Sequence, residues 1–232
     1  MPMGVHQTTE FLPALLSRIK AGGAVPAAFQ RPWRWNEEDV EALWDSILLG
    51  LPIGSILLWT PADADVKAYA RPLLGPIELN PERHAALILD GQHRLVTMAW
   101  SATNPDAPVP EGSIGVELWR SGRTLVADPY ERRIHFVDDD QLPDRLLLPV
   151  HHLCSSLQRW LRKAWDGNET DLEHVEWLNN LETNLIATRV IVTTLERSTP
   201  AEARSAFLRI SRAGVPMTQE DFDSAINWAP VY

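Results

Sequence analysis

The stretch Ala85-Ala-Leu-Ile-Leu-Asp-Gly-Gln-His-Arg-Leu95 joins a strand pattern to a helix pattern through a tight turn. The apolar run from Ala85 to Leu89 is typical of a short buried strand, and Asp90-Gly91 is a turn signal. From Gln92 to Ala102 apolar residues recur at helical spacing, and Asn104-Pro105 ends the pattern. The stretch therefore predicts a strand, a turn and a helix in succession.

The rest of the chain carries similar signals of capping, spacing and turn residues. In the first half they predict a helix from Glu37 to Leu49 capped by Asn36 and a strand from Ile53 to Trp59. In the middle they predict a hairpin of Ile114 to Arg120 and Arg123 to Ala127 joined by Ser121-Gly122, and a strand from Arg133 to Val137. In the second half they predict helices from Val150 to Trp165 and from Glu169 to Asn184, a strand from Ala187 to Leu195, a helix from Thr199 to about Arg212, and a last helix opened by Thr218 and cut short by the chain end.

The composition is that of an ordinary globular protein: 232 residues, 45% of them hydrophobic and 22% charged. Lys and Arg number 21 against 31 Asp and Glu, which gives a net charge of −10 and argues against DNA binding over the whole surface. A local basic pocket for a small phosphorylated ligand remains compatible with this balance. The single cysteine and the lack of a membrane-spanning stretch predict a cytoplasmic protein without intrachain disulfides or membrane contact.

The turn from Asp90 to Arg94 combines several features of an anion site. Backbone N–H groups of Gly91, Gln92 and His93 lie at the positive end of the predicted helix, where phosphate oxygens bind readily. Arg94 can add a charge-assisted hydrogen bond, and His93 can donate or shuttle a proton. The alternative is structural: Asp90 caps the helix and Arg94 pairs with a neighbouring carboxylate.

A second candidate segment is Phe29-Gln-Arg-Pro-Trp-Arg-Trp35, directly before the first predicted helix. The rings of Trp33 and Trp35 beside arginines are suited to stacking on a nucleobase. The same rings are equally suited to seating the following helix as a hydrophobic staple. The sequence leaves both readings open.

Metal ligands are not predicted. His151-His152-x-Cys154 has no second ligand pair at zinc-site spacing, which favours a helix start with a buried cysteine. Asp138-Asp-Asp140 is read as a solvated turn rather than a Mg²⁺ site.

Several motifs together resemble the N-terminal domain of GmrSD-type modification-dependent restriction endonucleases. Their order along the chain is more specific than any one of them. They are Gln30-Arg-Pro-Trp-Arg-Trp35, Leu43-Trp-Asp-Ser-Ile-Leu48, Pro52-Ile-Gly-Ser-Ile56, Leu89-Asp-Gly-Gln-His-Arg-Leu95 and the closing Ala206-Phe-Leu-Arg-Ile-Ser-Arg-Ala-Gly-Val-Pro-Met-Thr218.

The resemblance implies an α+β domain with a ParB/sulfiredoxin-like small mixed sheet, packed helices and a helical second half. It spans roughly residues 25–228 and implies one domain over residues 25–232, after an N-terminal helix or arm at 1–24. Family members bind and hydrolyse nucleoside triphosphates in support of anti-phage DNA restriction. We therefore expect ATP, GTP or CTP with Mg²⁺ as ligand, and as partners modified DNA and an HNH-type nuclease domain or subunit.

The resemblance also assigns site residues, position by position. Gln30, Arg31, Gly91, Gln92 and Arg94 are expected to bind the nucleotide phosphates. On the stacking interpretation of their rings, we also expect Trp33 or Trp35 to lie near the base. His93 and Asp90 are the expected catalytic residues, although His93 stands where the family has a second Gln, and Ser211 where it has Asn. The rival expectation is a non-catalytic module that binds DNA or a partner protein through the same arginines.

Overall fold

The computed structural model describes residues 4–29, 32–62, 66–82, 85–140, 146–165 and 171–212. Its strands are β1 (Gly4–Phe11), β2 (Ala24–Pro26), β3 (Ser55–Pro61), β4 (Leu73–Leu74), β5 (Ile77–Glu78), β6 (Ala86–Asp90), β7 (Arg123–Asp128), β8 (Arg133–Asp138), β9 (Leu148–Pro149) and β10 (Arg189–Ser198). Its helices are α1 (Leu12–Lys20), α2 (Glu37–Leu48), α3 (Gln92–Ser101), α4 (Val116–Trp119), α5 (Val150–Leu153), α6 (Leu157–Ala164), α7 (Leu172–Ala187) and α8 (Pro200–Arg212).

The main sheet, within these ranges, has five strands in the order β1-β10-β3-β6-β2. The pairs β1–β10 and β3–β6 are antiparallel, whereas β10–β3 and β2–β6 are parallel. A smaller antiparallel sheet has the order β8-β7-β9. The sheet is thus mixed, and the predicted α+β class is confirmed.

Strand β6 and helix α3 lie at the centre of the molecule. Four of the five residues of β6 are buried, and nine of the ten residues of α3 are buried. A helix buried all round needs partners for its polar side chains. Ser101 provides one example, because its hydroxyl accepts a hydrogen bond from Trp44 Nε1 of α2 at 3.1 Å.

Local capping signals explain where two helices begin. At α2 the side chain of Asn36 accepts from the Asp39 N–H, and the Asp39 carboxylate accepts from the Asn36 N–H, which completes a capping box. At α8 Thr199 and Glu202 make the same reciprocal pair. Both predicted helices are confirmed; the last one, opened by Thr218, lies outside the described residues.

The N-terminal segment contributes to the main sheet. Strand β1 pairs with β10 over its whole length, from Gly4 opposite Glu196 to Phe11 opposite Arg189. Helix α1 then buries Leu12, Leu15 and Ile19 in the same hydrophobic core as the later elements. The division of the chain at residue 24 stays a prediction.

The predicted strand from Ile114 to Arg120 is wrong. Gly115, at φ 83°, turns the chain into the short helix α4. Trp100 Nε1 donates to the Ile114 carbonyl, and the Trp119 ring stacks on the Trp100 ring at 6.1 Å. Tertiary packing of these indoles therefore overrides the local strand propensity. Strand β7 instead forms its hairpin with β8.

The predicted single helix from Val150 to Trp165 is interrupted after α5. Ser155 Oγ donates to the His151 carbonyl, and Ser156 Oγ lies 3.1 Å from His152 Nδ1. Short polar side chains that bond the backbone nearby compete with regular helix structure. The chain consequently restarts as α6 at Leu157.

Helix α7 provides a test of the packing. Leu178 is fully buried, whereas Leu172 on the same helix is 51% exposed. We expect Leu178→Ala to lower the free energy of unfolding by about 2–5 kcal/mol, because it leaves a cavity, and Leu172→Ala to change it by less than about 0.5 kcal/mol. Urea denaturation of both variants measures the difference. Equal losses would contradict the packing of α7 against the core.

Candidate functional site

The turn between β6 and α3 depends on Gly91. This residue has φ 90° and forms the N-cap of α3, with no side chain capping the helix. A Cβ at Gly91 would lie 2.2 Å from Ile56 Cδ1. The glycine therefore permits both the left-handed turn and the close approach of β3. The first-turn N–H groups of α3 have no intrahelical acceptor, as at every helix start.

Arg94 ties α3 to the chain segment that enters β3. Its Nη1 donates to the Ile53 carbonyl at 3.0 Å, and its Nη2 donates to the Ser55 carbonyl at 2.7 Å. Asp90 Oδ2 lies 3.5 Å from the same Nη2. Burial lowers the pKa of Arg94 and the charge of Asp90 offsets part of that shift, so the guanidinium stays protonated at neutral pH.

The bonds made by Arg94 explain why the Pro52-Ile-Gly-Ser motif and the Asp90-Gly-Gln-His-Arg94 motif occur in the same chain. Gly54, in the Pro52-Ile-Gly-Ser motif, has φ 86°, and a Cβ there would lie 1.8 Å from Arg94 Nη1. The carbonyls on either side of Gly54 are the ones that Arg94 binds. Sequence reasoning missed the contact between Arg94 and the Gly54 loop, although the Pro52-Ile-Gly-Ser motif was a signal for it.

Gln92 is the unexplained polar group of the site. It is the first residue of α3 and is 2% exposed. Neither its Oε1 nor its Nε2 has a hydrogen-bond partner in the part of the chain that the structure describes. A buried amide without a partner costs about 1–3 kcal/mol, so such groups call for an explanation.

His93 is packed against both tryptophans of the preceding segment. Its ring stacks on Trp33 at 5.1 Å with an interplanar angle of 23°, and Trp35 lies 5.8 Å away. The Arg34 N–H donates to His93 Nε2 at 3.1 Å. Because Nε2 accepts, the imidazole is neutral and carries its proton on Nδ1. His93 therefore connects the segment before α2 to the start of α3.

Most of the predicted site residues thus meet in one place. Asp90, whose side chain is half exposed, and the four residues that follow it surround the start of α3. Trp33 and Trp35 are half-buried against the core beside His93. Gln30 and Arg31 lie outside the described residues.

In the His151-His152-x-Cys154 segment, burial shifts the pKa values of the side chains away from their charged forms. Burial raises the pKa of the Cys154 thiol to about 12, although Lys20 opposes this shift. Burial, followed by the neighbouring His152, lowers the pKa of His151 to about 4. Both groups are therefore uncharged at neutral pH.

The acidic run Asp138-Asp-Asp140 is partly engaged within the hairpin. Asp138 pairs with Arg123, and Asp139 accepts a hydrogen bond from Thr124 Oγ1 at 2.6 Å.

Residues 12–226 match the family model described as the GmrSD restriction endonuclease N-terminal domain. The chain belongs to this family. The resemblance of the ordered motifs is thereby confirmed.

A similar curated protein is an uncharacterized protein of Methanocaldococcus jannaschii. It is 22% identical over 240 aligned residues, which cover 93% of this chain and 41% of the archaeal protein. The chain thus spans less than half the length of that relative.

Among the described helices of this GmrSD N-terminal domain, none is long and apolar enough to cross a membrane.

The Gly54–Arg94 contact in this GmrSD N-terminal domain can be tested with a matched pair of variants. Gly50 and Gly54 both have positive φ, but a Cβ at Gly50 would meet nothing within 4 Å. Gly50→Ala should therefore cost about 1–2 kcal/mol from backbone strain alone. We expect a clearly larger loss for Gly54→Ala, because the methyl group displaces the Arg94 guanidinium. Urea denaturation measures both, and equal losses would show that Arg94 does not hold this loop.

Proposed function

We propose that this domain binds a nucleoside triphosphate with Mg²⁺ at the start of α3 and hydrolyses it to regulate a modification-dependent DNA restriction system in anti-phage defence. DNA cleavage in such a system falls to an HNH-type nuclease, as a further domain or as a partner subunit. Modified DNA is the target that the system recognises.

The observation that carries the proposal is the buried amide of Gln92. It lies in the first turn of α3, beside backbone N–H groups that the helix itself leaves without acceptors. A phosphate at this position would accept hydrogen bonds from Gln92 Nε2 and from the first-turn N–H groups. Binding would thus supply the acceptor for Nε2 that the described residues do not.

The other residues divide the remaining roles. Arg94 contributes positive charge while its two carbonyl bonds fix its position. The half-exposed carboxylate of Asp90 is suited to Mg²⁺, which prefers oxygen ligands. Gln30 and Arg31 contribute further phosphate contacts, and Trp33 or Trp35 stacks on the base.

His93 is the proposed catalytic residue beside the phosphates. The hydrogen bond from the Arg34 N–H to its Nε2 and the stacking of its ring on Trp33 hold it at the start of α3. In hydrolysis, water adds to the γ-phosphoryl group and the nucleoside diphosphate leaves. In this proposal His93 orients that water or donates a hydrogen bond to a γ-phosphate oxygen.

The first experiment is a titration of the purified chain with ATP, GTP and CTP, with and without Mg²⁺. Ten tryptophans, two of them at the site, give an intrinsic fluorescence signal, and phosphate release is measured on the same samples. We expect saturable, Mg²⁺-dependent binding of one nucleotide together with turnover. Binding without turnover would contradict the role given to His93.

A matched pair of variants tests the site itself. Gln92→Met keeps the side-chain volume but removes the amide. Thr97→Val keeps the volume but removes the hydroxyl of Thr97, which is another buried, unpartnered polar group on α3. Because each variant removes an unsatisfied group, both should raise the free energy of unfolding, by up to about 1–3 kcal/mol.

Only Gln92→Met should weaken nucleotide binding, by at least about tenfold, since one lost hydrogen bond to a charged group is worth about 1.5–3 kcal/mol. Calorimetric titration measures the affinity of both variants. Unchanged affinity in Gln92→Met would exclude this site. If the unaltered chain binds no nucleotide, the interaction module that contacts DNA or a partner protein becomes the better account.

A further inference from the structure

The tip of the β7–β8 hairpin brings together one histidine and two carboxylates. In the portion of the chain that the structure describes, one ligand atom from each of Asp128, Glu131 and His135 lies within 4.8 Å of the other two. Sequence reasoning missed this group because its members are separated by a turn and match no metal-ligand motif.

The strand pairing explains the juxtaposition of Asp128 and His135. Asp128 ends β7 and is paired with Arg133, while His135 is paired with Val126 two residues earlier on β7. Residues two apart on a strand share a face, so Asp128 and His135 point to the same side of the hairpin. Both side chains are largely buried, with 5% of Asp128 and 13% of His135 exposed.

The Asp128 carboxylate is held in a fixed orientation. Its Oδ1 accepts hydrogen bonds from the Tyr130 N–H at 2.8 Å and from the Glu131 N–H at 3.1 Å. These bonds use one oxygen only, and Oδ2 faces His135 Nε2. The second oxygen is therefore preorganised toward the histidine nitrogen.

The spacing of these two atoms is that of two ligands on one ion. His135 Nε2 and Asp128 Oδ2 are 3.4 Å apart. A direct charge-assisted hydrogen bond of this kind is shorter, about 2.7–2.9 Å. Two ligands that each bind zinc at about 2.0–2.2 Å with tetrahedral angles are separated by about 3.4 Å.

Glu131 completes the set from the exposed side of the turn. Its Oε2 pairs with Arg133 Nη2 at 2.6 Å. A carboxylate has two oxygens, so this ion pair leaves Oε1 for a second partner. Arg133 also offsets part of the negative charge that two carboxylates would otherwise concentrate at the tip.

We propose that Asp128, Glu131 and His135 bind a divalent transition-metal ion of the zinc type. An imidazole with two carboxylates favours zinc over Mg²⁺ and Ca²⁺, which prefer oxygen ligands alone. With three protein ligands, the ion keeps one position for a solvent molecule. The site is separate from the start of α3 and does not depend on nucleotide binding.

The test is a calorimetric titration of the full chain with Zn²⁺, after dialysis against a chelator and without nucleotide. We expect one equivalent to bind, and a thousandfold excess of Mg²⁺ not to displace it. Co²⁺ in place of Zn²⁺ should give a visible absorption band from the histidine-containing ligand set. Failure to bind Zn²⁺, or displacement by Mg²⁺, would overturn the proposal.

Variants identify the ligands. His135→Gln and Asp128→Asn should each weaken Zn²⁺ binding by at least about tenfold, a loss typical of disturbed metal sites. Glu131→Gln tests the site without touching a buried side chain, so it stays informative if the other two variants fold poorly. Thermal unfolding of each metal-free variant, followed by circular dichroism, checks folding.

The matched control is His152→Gln, which removes one histidine of the neighbouring pair His151 and His152 and leaves the hairpin unchanged. This variant should bind Zn²⁺ and show the Co²⁺ band as the unaltered chain does. If His152→Gln loses the ion while Glu131→Gln keeps it, the ion belongs to the His151–His152 pair. The assignment to the hairpin is then wrong, and Asp128 and His135 form an ordinary ion pair.

Discussion

The bonds from the Arg94 guanidinium to the carbonyls of Ile53 and Ser55 hold the centre of the molecule together. They join α3, the helix after β6, to the loop that enters β3. The end of β6 and the start of β3 are therefore held next to each other at the site. The bonds are possible only because residues 54 and 91 are glycines. A side chain at either position would enter the space that Arg94 or Ile56 occupies.

Burial of α3 has a second consequence for the site. A helix enclosed on all sides leaves no solvent to satisfy its polar side chains, so a buried polar group without a protein partner is costly. Ser101 at the far end has Trp44, whereas Gln92 at the first turn has no described partner. The difference distinguishes the end of α3 that completes the core from the end that is suited to binding.

Local chemistry was sufficient where an element is specified by its own residues. The capping box of Asn36 and Asp39 and the turn at Gly91 lie within a few residues of the helices they start, so both helices were predicted with nearly correct bounds. Prediction failed where distant packing decides. The segment from Ile114 to Arg120 has strand propensity, but its Trp119 is held on Trp100, and the chain forms a helix there instead.

The sequence by itself determined the family, the α+β class and the neighbourhood of Asp90 to Arg94, because these depend on short-range patterns and on the order of motifs. Only the tertiary structure decided what those residues contact. It showed that Arg94 binds carbonyls about forty positions away, that His93 accepts a hydrogen bond from the Arg34 backbone N–H, and that Asp128 faces His135. Such contacts join residues that are far apart in sequence or separated by a turn. Local secondary-structure propensity gives no information about the distance between them.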